Sequence, residues 1–218
     1  MPRPRKRLYR AGLWSAERTA LAMGYSLVAG IDEVGLGPLA GPVVAGAAVL
    51  KLGDRLPGLN DSKQLTHEQR LRAARMVYRR AVAVGVGEVP IEEFNRIGMT
   101  KARQVAMKRA IGGLGIPVEY LLVDAFDVPE SPLPQLGVVK GDRTCASIMA
   151  ASVVAKVHRD QLMIEFDKLY PGYGFAVHKG YATEAHREAL RMLGPSPIHR
   201  TSWRRVQELT AALAAELC

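Results

Sequence analysis

Only two cysteines, Cys145 and Cys218, occur in 218 residues. Two thiols cannot build a disulfide framework or a four-thiolate zinc site, and they suit a reducing compartment, so a cytoplasmic protein is expected. No stretch of about eighteen apolar residues runs unbroken, which excludes a helix crossing a bilayer unaided, and no membrane partner is expected. A secretory leader is not expected either, because Glu17 and Arg18 interrupt its apolar segment, while the Arg-rich start leaves an organellar presequence open. Two nucleotide signatures are absent as well. Gly35, Gly37 and Gly41 have the wrong spacing for a dinucleotide fingerprint, Pro38 and Pro42 stand where its helix would open, and no Gly-Lys-Ser/Thr follows a glycine loop. Acidic residues are the minority charge: 21 Asp and Glu against 30 Lys and Arg leave +9. That excess favours a polyanion as partner, with nucleic acid the first suspect.

Hydrophobic residues at 48% and charged residues at 23% match an ordinary globular domain and not a disordered chain. Residues 1–12 read as a flexible basic arm, since Arg3, Arg5, Lys6, Arg7 and Arg10 crowd beside Pro2 and Pro4. Residues 13–218 read as a single domain. A short helix is predicted over 14–23, closed by Gly24. Strands are predicted over 26–31 and 42–50, joined as a hairpin by the glycine-rich turn 35–41. Thr66 caps a helix to residue 80, and a strand follows over 81–89. A helix over 100–114 precedes a buried strand over 120–123 that ends at Asp124. One more strand, 136–139, ends just before Asp142. Thr144 is expected to cap a long helix to about residue 170, with shorter helices over 183–192 and 202–217. The pattern predicts an α/β fold: a mixed sheet flanked by helices, with a helical C-terminal appendage.

Four acids stand at or just beyond predicted strand ends: Asp32, Glu33, Asp124 and Asp142. Strand ends gather at one edge of an α/β sheet, where sites form. Singly, each could mark a strand end, open a turn or cap a helix. The adjacent pair Asp32-Glu33 is harder to dismiss, because neighbouring carboxylates behind a buried strand repel and cost desolvation unless a cation or proton compensates. Oxygen-only ligands favour Mg²⁺ or Mn²⁺, and on a basic protein they fit two-metal phosphoryl chemistry. Asn60-Asp61-Ser62-Lys63, just before a helix, reads either as a phosphate seat or as a polar surface turn. In His178-Lys179-Gly180-Tyr181 the tyrosine could stack on a sugar or base, or pack in the core. His199-Arg200 reads as a phosphate contact or, more simply, a solvated charged face.

Read in order, six segments resemble ribonuclease HII, the bacterial type 2 ribonuclease H. They are GIDEVGLGPLAGPVVAGAAVL at 30–50, LNDSKQL at 59–65, VDAF from Val123, KGDRTCASIMAASVVAKVHRD at 140–160, YPGYGFAVHKGYAT at 170–183 and GPSPIHRTSW at 194–203. Together they extend over nearly the whole chain except the arm and the final helix. The resemblance implies a ribonuclease H-like catalytic domain over 13–218 that cleaves the RNA strand of RNA/DNA hybrids. It also implies incision 5′ of ribonucleotides embedded in duplex DNA, leaving 3′-hydroxyl and 5′-phosphate ends. The family's catalytic metal ligands fall on Asp32, Glu33, Asp124 and Asp142, holding two Mg²⁺ or Mn²⁺ ions. Gly35, Leu36 and Gly37 would sense the ribose 2′-hydroxyl through their backbone, Tyr181 would pack on the adjacent deoxyribose, and Ser62 and Lys63 would hold a phosphate.

One residue departs from the family pattern: Leu36 stands where an arginine is usual between the two glycines. Backbone contacts survive that change, but an arginine–phosphate bond does not. The sister family, ribonuclease HIII, usually carries an additional N-terminal domain, for which Asp32 lies too near the start of this chain. A monomer is expected. Two other classes remain open: a basic binding module that keeps the fold without the catalysis, and a different nuclease on the same fold. The four acids argue against the first, and the 35–37 turn with Tyr181 against the second.

Overall fold

Strands β1 (Val28–Val34), β2 (Val43–Val49), β3 (Ala83–Val89), β4 (Tyr120–Asp124) and β5 (Gln135–Val138) form one mixed sheet. Their order is β3-β2-β1-β4-β5. The computed structural model describes residues 12–129 and 131–216, so the basic arm assigned to 1–12 lies, but for Gly12, outside the described residues. β1 pairs antiparallel with β2 and parallel with β4, and β5 extends the parallel side. The predicted hairpin is present, and the predicted mixed sheet is observed.

β2 is buried at every position. That explains why it reads as a continuous apolar run and not as an alternation: helices cover both faces of the central strands. Helix α3 (Ile91–Gly112) covers one face, packing Phe94, Ala102, Ala106 and Met107 against Ile31, Val43, Ala45 and Leu121. Helix α5 (Ala146–Leu169) covers the other, and Gly30 and Gly46 let it come close. A β-carbon on Gly30 would stand 2.1 Å from the Ser147 carbonyl carbon, and one on Gly46 2.2 Å from the Ala151 oxygen. Any side chain there would push α5, and the acids beneath it, apart.

Around this core lie α1 (Ser15–Ala22), α2 (His67–Arg80), the single turns α4 (Gly141–Thr144) and α6 (Phe175–His178), then α7 (Glu184–Leu193) and α8 (Arg204–Glu216). Thr66 caps α2 as predicted, in a reciprocal capping box with Gln69. Two expectations are corrected. The helix predicted from residue 100 begins at Ile91, behind Pro90, and is broken at Gly98, whose φ of 75° no ordinary helical residue adopts. Thr144 does not cap α5: it ends α4, its hydroxyl donating to the Lys140 carbonyl. The α5 N-terminus is capped from a distance, Glu17 on α1 accepting from the Ser147 amide and hydroxyl, both at 2.8 Å. A carboxylate at a helix start is favoured by the exposed amides and by the helix dipole.

Candidate active site

The four acids lie together at the end of the sheet where β1 and β4 finish. Asp32 and Glu33 are the third-last and second-last residues of β1, and the register pairs Ile31 with Val123, which sets Asp32 beside Asp124 on the neighbouring strand. Asp124 Oδ1 accepts from the Gly141 amide at 2.7 Å, fastening β4 to α4, the turn that carries Asp142. The chain reaches this geometry through left-handed backbone at two non-glycine residues, Ala125 (φ 59°) directly after Asp124 and Lys140 (φ 57°) directly before α4. Strain of that kind persists only where surrounding structure imposes it.

Electrostatically the cluster is a site of unresolved repulsion. Burial, then the neighbouring charges of Asp124 and Glu33, raise the Asp32 carboxyl to about 8 against a lowering hydrogen bond from Ser152. Burial also pushes Glu33 upward, against the lowering influence of Arg103, and burial together with Asp142 raises Asp124. Glu33 Oε2 is buried without a hydrogen-bond partner. Asp142, only 4% exposed, is met by Lys63 Nζ at 2.8 Å. Lys63 thereby joins the cluster through its ammonium, and Ser62 joins through its hydroxyl, 3.0 Å from that of Ser152. Asp61 fixes the loop, accepting from the Lys63 amide at 2.9 Å and pairing with Arg143 at 2.8 Å. The 60–63 segment is thus anchored beside the acids, with Asp61 and Ser62 buried and the Lys63 side chain largely exposed.

These groups fit a divalent cation chemically. The donors are all carboxylate oxygens, one is orphaned, and repulsion within the cluster is relieved by positive charge. Among the described residues no three His, Cys, Asp or Glu side chains already stand close enough to hold a metal ion, so the acids would have to draw together around one.

The glycine turn and Tyr181 stand beside one another. Gly35 has φ +93°, and a β-carbon there would lie 2.5 Å from Arg159 Nε. The segment carrying Tyr181 is tied to the turn by the Leu39 amide, which donates to the Gly180 carbonyl at 2.8 Å. Tyr181 is 41% exposed, so it is not a core residue; the Arg159 and Lys156 cations lie about 6 Å from its ring. Leu36 is half-buried against the main core. Its side lines an open groove of about 470 Å³ that continues past Gly37, Met99 and Trp203 to Arg204 and Arg205.

Of the two fully buried arginines, Arg159 is missed from sequence and Arg200 is misread. Arg159 donates to the carbonyls of Pro42, Ala40 and Lys179. Arg200 donates to Leu36 at 3.0 Å and also to Gly35 and Gly41. Both His199 and Arg200 are fully buried, which corrects both readings of that pair: neither a phosphate contact nor a solvated face, they brace the turn from behind. The carbonyls of Gly35, Leu36 and Gly41 are thus held inward, and the Leu39 and Gly41 amides are taken by the Gly180 and Ile198 carbonyls. His199 continues the bracing. The Ser196 amide donates to His199 Nδ1 at 2.8 Å, so His199 carries its proton on Nε2 and gives it to His186 Nε2 at 3.0 Å. His186 then donates from Nδ1 to the Tyr181 carbonyl at 2.9 Å.

Comparison with known proteins agrees with this arrangement. The sequence model of the ribonuclease HII family matches residues 29–206. The ribonuclease HII of Geobacter sulfurreducens is 48% identical over 196 residues, covering 90% of each chain. That of Mycobacteroides abscessus is 47% identical over 209 residues, 95% of this chain and 88% of the relative. Among solved structures, the ribonuclease H2 from Pyrococcus horikoshii OT3 superposes with a TM-score of 0.74 at 26% identity, covering 87% of this chain and 99% of that one.

Proposed function

The chain belongs to the ribonuclease HII family and is a ribonuclease H, a hydrolase of RNA paired with DNA, and from that premise we propose that it is a Mg²⁺- or Mn²⁺-dependent endonuclease that also incises 5′ of single ribonucleotides in duplex DNA. The observation that carries the reading is the row Asp32, Glu33, Asp124 and Asp142, with its raised carboxyls and the orphaned Glu33 Oε2. Those four residues would hold the ions. When bound, a pair of divalent cations supplies activation of water for in-line attack and stabilisation of the leaving oxygen.

The protein's own residues do the rest. Asp32 and Asp124, on adjacent strands, set one side of the row, and the Gly141 amide fixes Asp124 against it. Lys63 presents a cation beside Asp142, where a substrate phosphate would otherwise meet only negative charge, and Ser62 presents a hydroxyl to Ser152, which itself bonds Asp32. The amide face of Gly35, Leu36 and Gly37, braced by Arg200, would read the 2′-hydroxyl, the group that separates RNA from DNA. Tyr181, aligned by the His186–His199 relay, would pack on the adjacent deoxyribose. Residues 13–218 would act as one catalytic domain, as a monomer in the cytoplasm, with the basic arm as an accessory contact.

The discriminating experiment replaces one nucleotide of a labelled DNA duplex by its ribo, deoxy or 2′-O-methyl form. Incision of the ribo duplex alone supports the reading; equal cutting of all three contradicts a 2′-hydroxyl sensor.

A further inference from the structure

On α3, away from every segment that carries the family resemblance, Arg103 reaches into the acidic row. Its Nε lies 3.1 Å from Glu33 Oε1, and both side chains are largely covered, at 19% and 14% exposure. The pairing is one of charge without directed hydrogen bonds, because neither Nε nor Nη2 of Arg103 has a hydrogen-bond partner, and neither does Glu33 Oε2. The guanidinium also lies over the ring of Phe126, 4.9 Å from its centroid, and Phe126 is itself 64% exposed on the loop after β4. A buried arginine would normally satisfy its donors on carboxylate or carbonyl oxygens, as Arg159 and Arg200 do here. Arg103 does not.

We propose that Arg103 is a positioning residue that serves as an exchangeable counter-ion for Glu33, holding the carboxylate in place before a metal arrives and competing with the metal for it. The inference rests on the reading of Glu33 as a metal ligand. An ion pair whose donors are not aimed at the carboxylate gives up little when it parts, and the Phe126 face, over which the guanidinium already lies, keeps it seated once Glu33 turns to a cation. Metal affinity is then set below what the four carboxylates alone would give, by the cation already among them. Lys63 cannot be the whole of this device, since it neutralises Asp142 from a largely exposed position on the opposite flank.

The test is calorimetric titration of Mn²⁺ alone into the metal-free full chain, with folding checked by circular dichroism. Glu33→Gln should weaken Mn²⁺ binding; if it leaves binding unchanged, the metal reading of Glu33 fails and the inference falls with it. Where Glu33→Gln does weaken binding, Arg103→Gln should lower the Kd by about three- to tenfold, and Arg103→Lys should restore a value near wild type. Phe126→Ala, on the surface and safe for folding, should shift the Kd of Mn²⁺ without touching any carboxylate. An Arg103→Gln protein that binds Mn²⁺ no more tightly than wild type overturns the proposal while leaving the reading of Glu33 intact. Should Arg103→Gln not fold, Phe126→Ala carries the same decision: an unchanged Kd overturns it.

Discussion

Arg200 Nη1 donates to the carbonyl of Leu36 across 164 residues of sequence, at 3.0 Å. The same guanidinium holds Gly35 and Gly41 and lies against both Phe94 and Trp203, at 4.4 and 5.0 Å from their rings. Arg200→Ala would leave buried carbonyls orphaned, at a cost of about 3 kcal/mol or more, which in a chain of this size lowers Tm by roughly 6–12 °C. Arg200→Lys should recover little of it, because one ammonium cannot span three carbonyls. A thermal melt checks both; an alanine variant as stable as wild type contradicts the bracing role.

Asp124 joins β4 to α4 and stands beside Asp32. Asp124→Asn keeps an oxygen acceptor for the Gly141 amide but removes the charge, so cleavage should fall by about 10²-fold or more with the circular dichroism spectrum unchanged. Turnover near the wild-type rate would remove Asp124 from the catalytic set.

The outward side of Leu36 lines the groove that leads to Arg204 and Arg205. Leu36→Arg would add a charge-assisted phosphate contact, discounted by repulsion from those neighbours, so KM for a ribonucleotide-containing duplex should fall by about three- to tenfold. An unchanged KM at low salt would show that this position does not face the phosphate backbone.

The legible parts of this molecule were those written locally. Thr66 and Gln69 spell a capping box within four residues, and Asp32, Glu33 and Asp124 could be placed because apolar runs end on them. The helix from Ile91 was missed because Gly98 interrupts its period. Thr144 misled because the true cap of α5, Glu17, comes from another helix. Arg200 and His199 were misread for the same reason: His-Arg next to Thr-Ser looks like a surface, and only the return of the chain onto the 35–41 turn buries it. Arg103 gave no signal, since an arginine on an amphipathic helix is by default solvated.

Acid should loosen the bracing before it reaches most carboxylates. His186 and His199 are held down to about 4 by burial, and His178 is lowered for the same cause. Because the unfolded chain takes up these protons near pH 6.5 while the folded one resists until about 4, the histidine contribution to stability is complete above pH 6.5. It declines as pH falls from there toward 4. Protonating His199 Nδ1 would also oppose the Ser196 amide that it accepts. The raised carboxyls of the acidic row act in the opposite direction over the same range, so the relay is read from the imidazole NMR signals: His186 and His199 should keep neutral-form shifts from pH 7.5 to 5, and imidazolium shifts at pH 5 contradict the neutral relay.

If the carboxylate row holds the ions as proposed, cleavage at a ribonucleotide depends on divalent metal. A labelled DNA duplex with one internal ribonucleotide, incubated with Mg²⁺, Mn²⁺ or chelator beside all-DNA and RNA/DNA duplexes, tests it directly. Metal-dependent incision immediately 5′ of the ribonucleotide, giving 3′-hydroxyl and 5′-phosphate ends with all-DNA untouched, is the predicted result. Cleavage that persists in chelator, or binding without cutting under either metal by the folded protein, would contradict it.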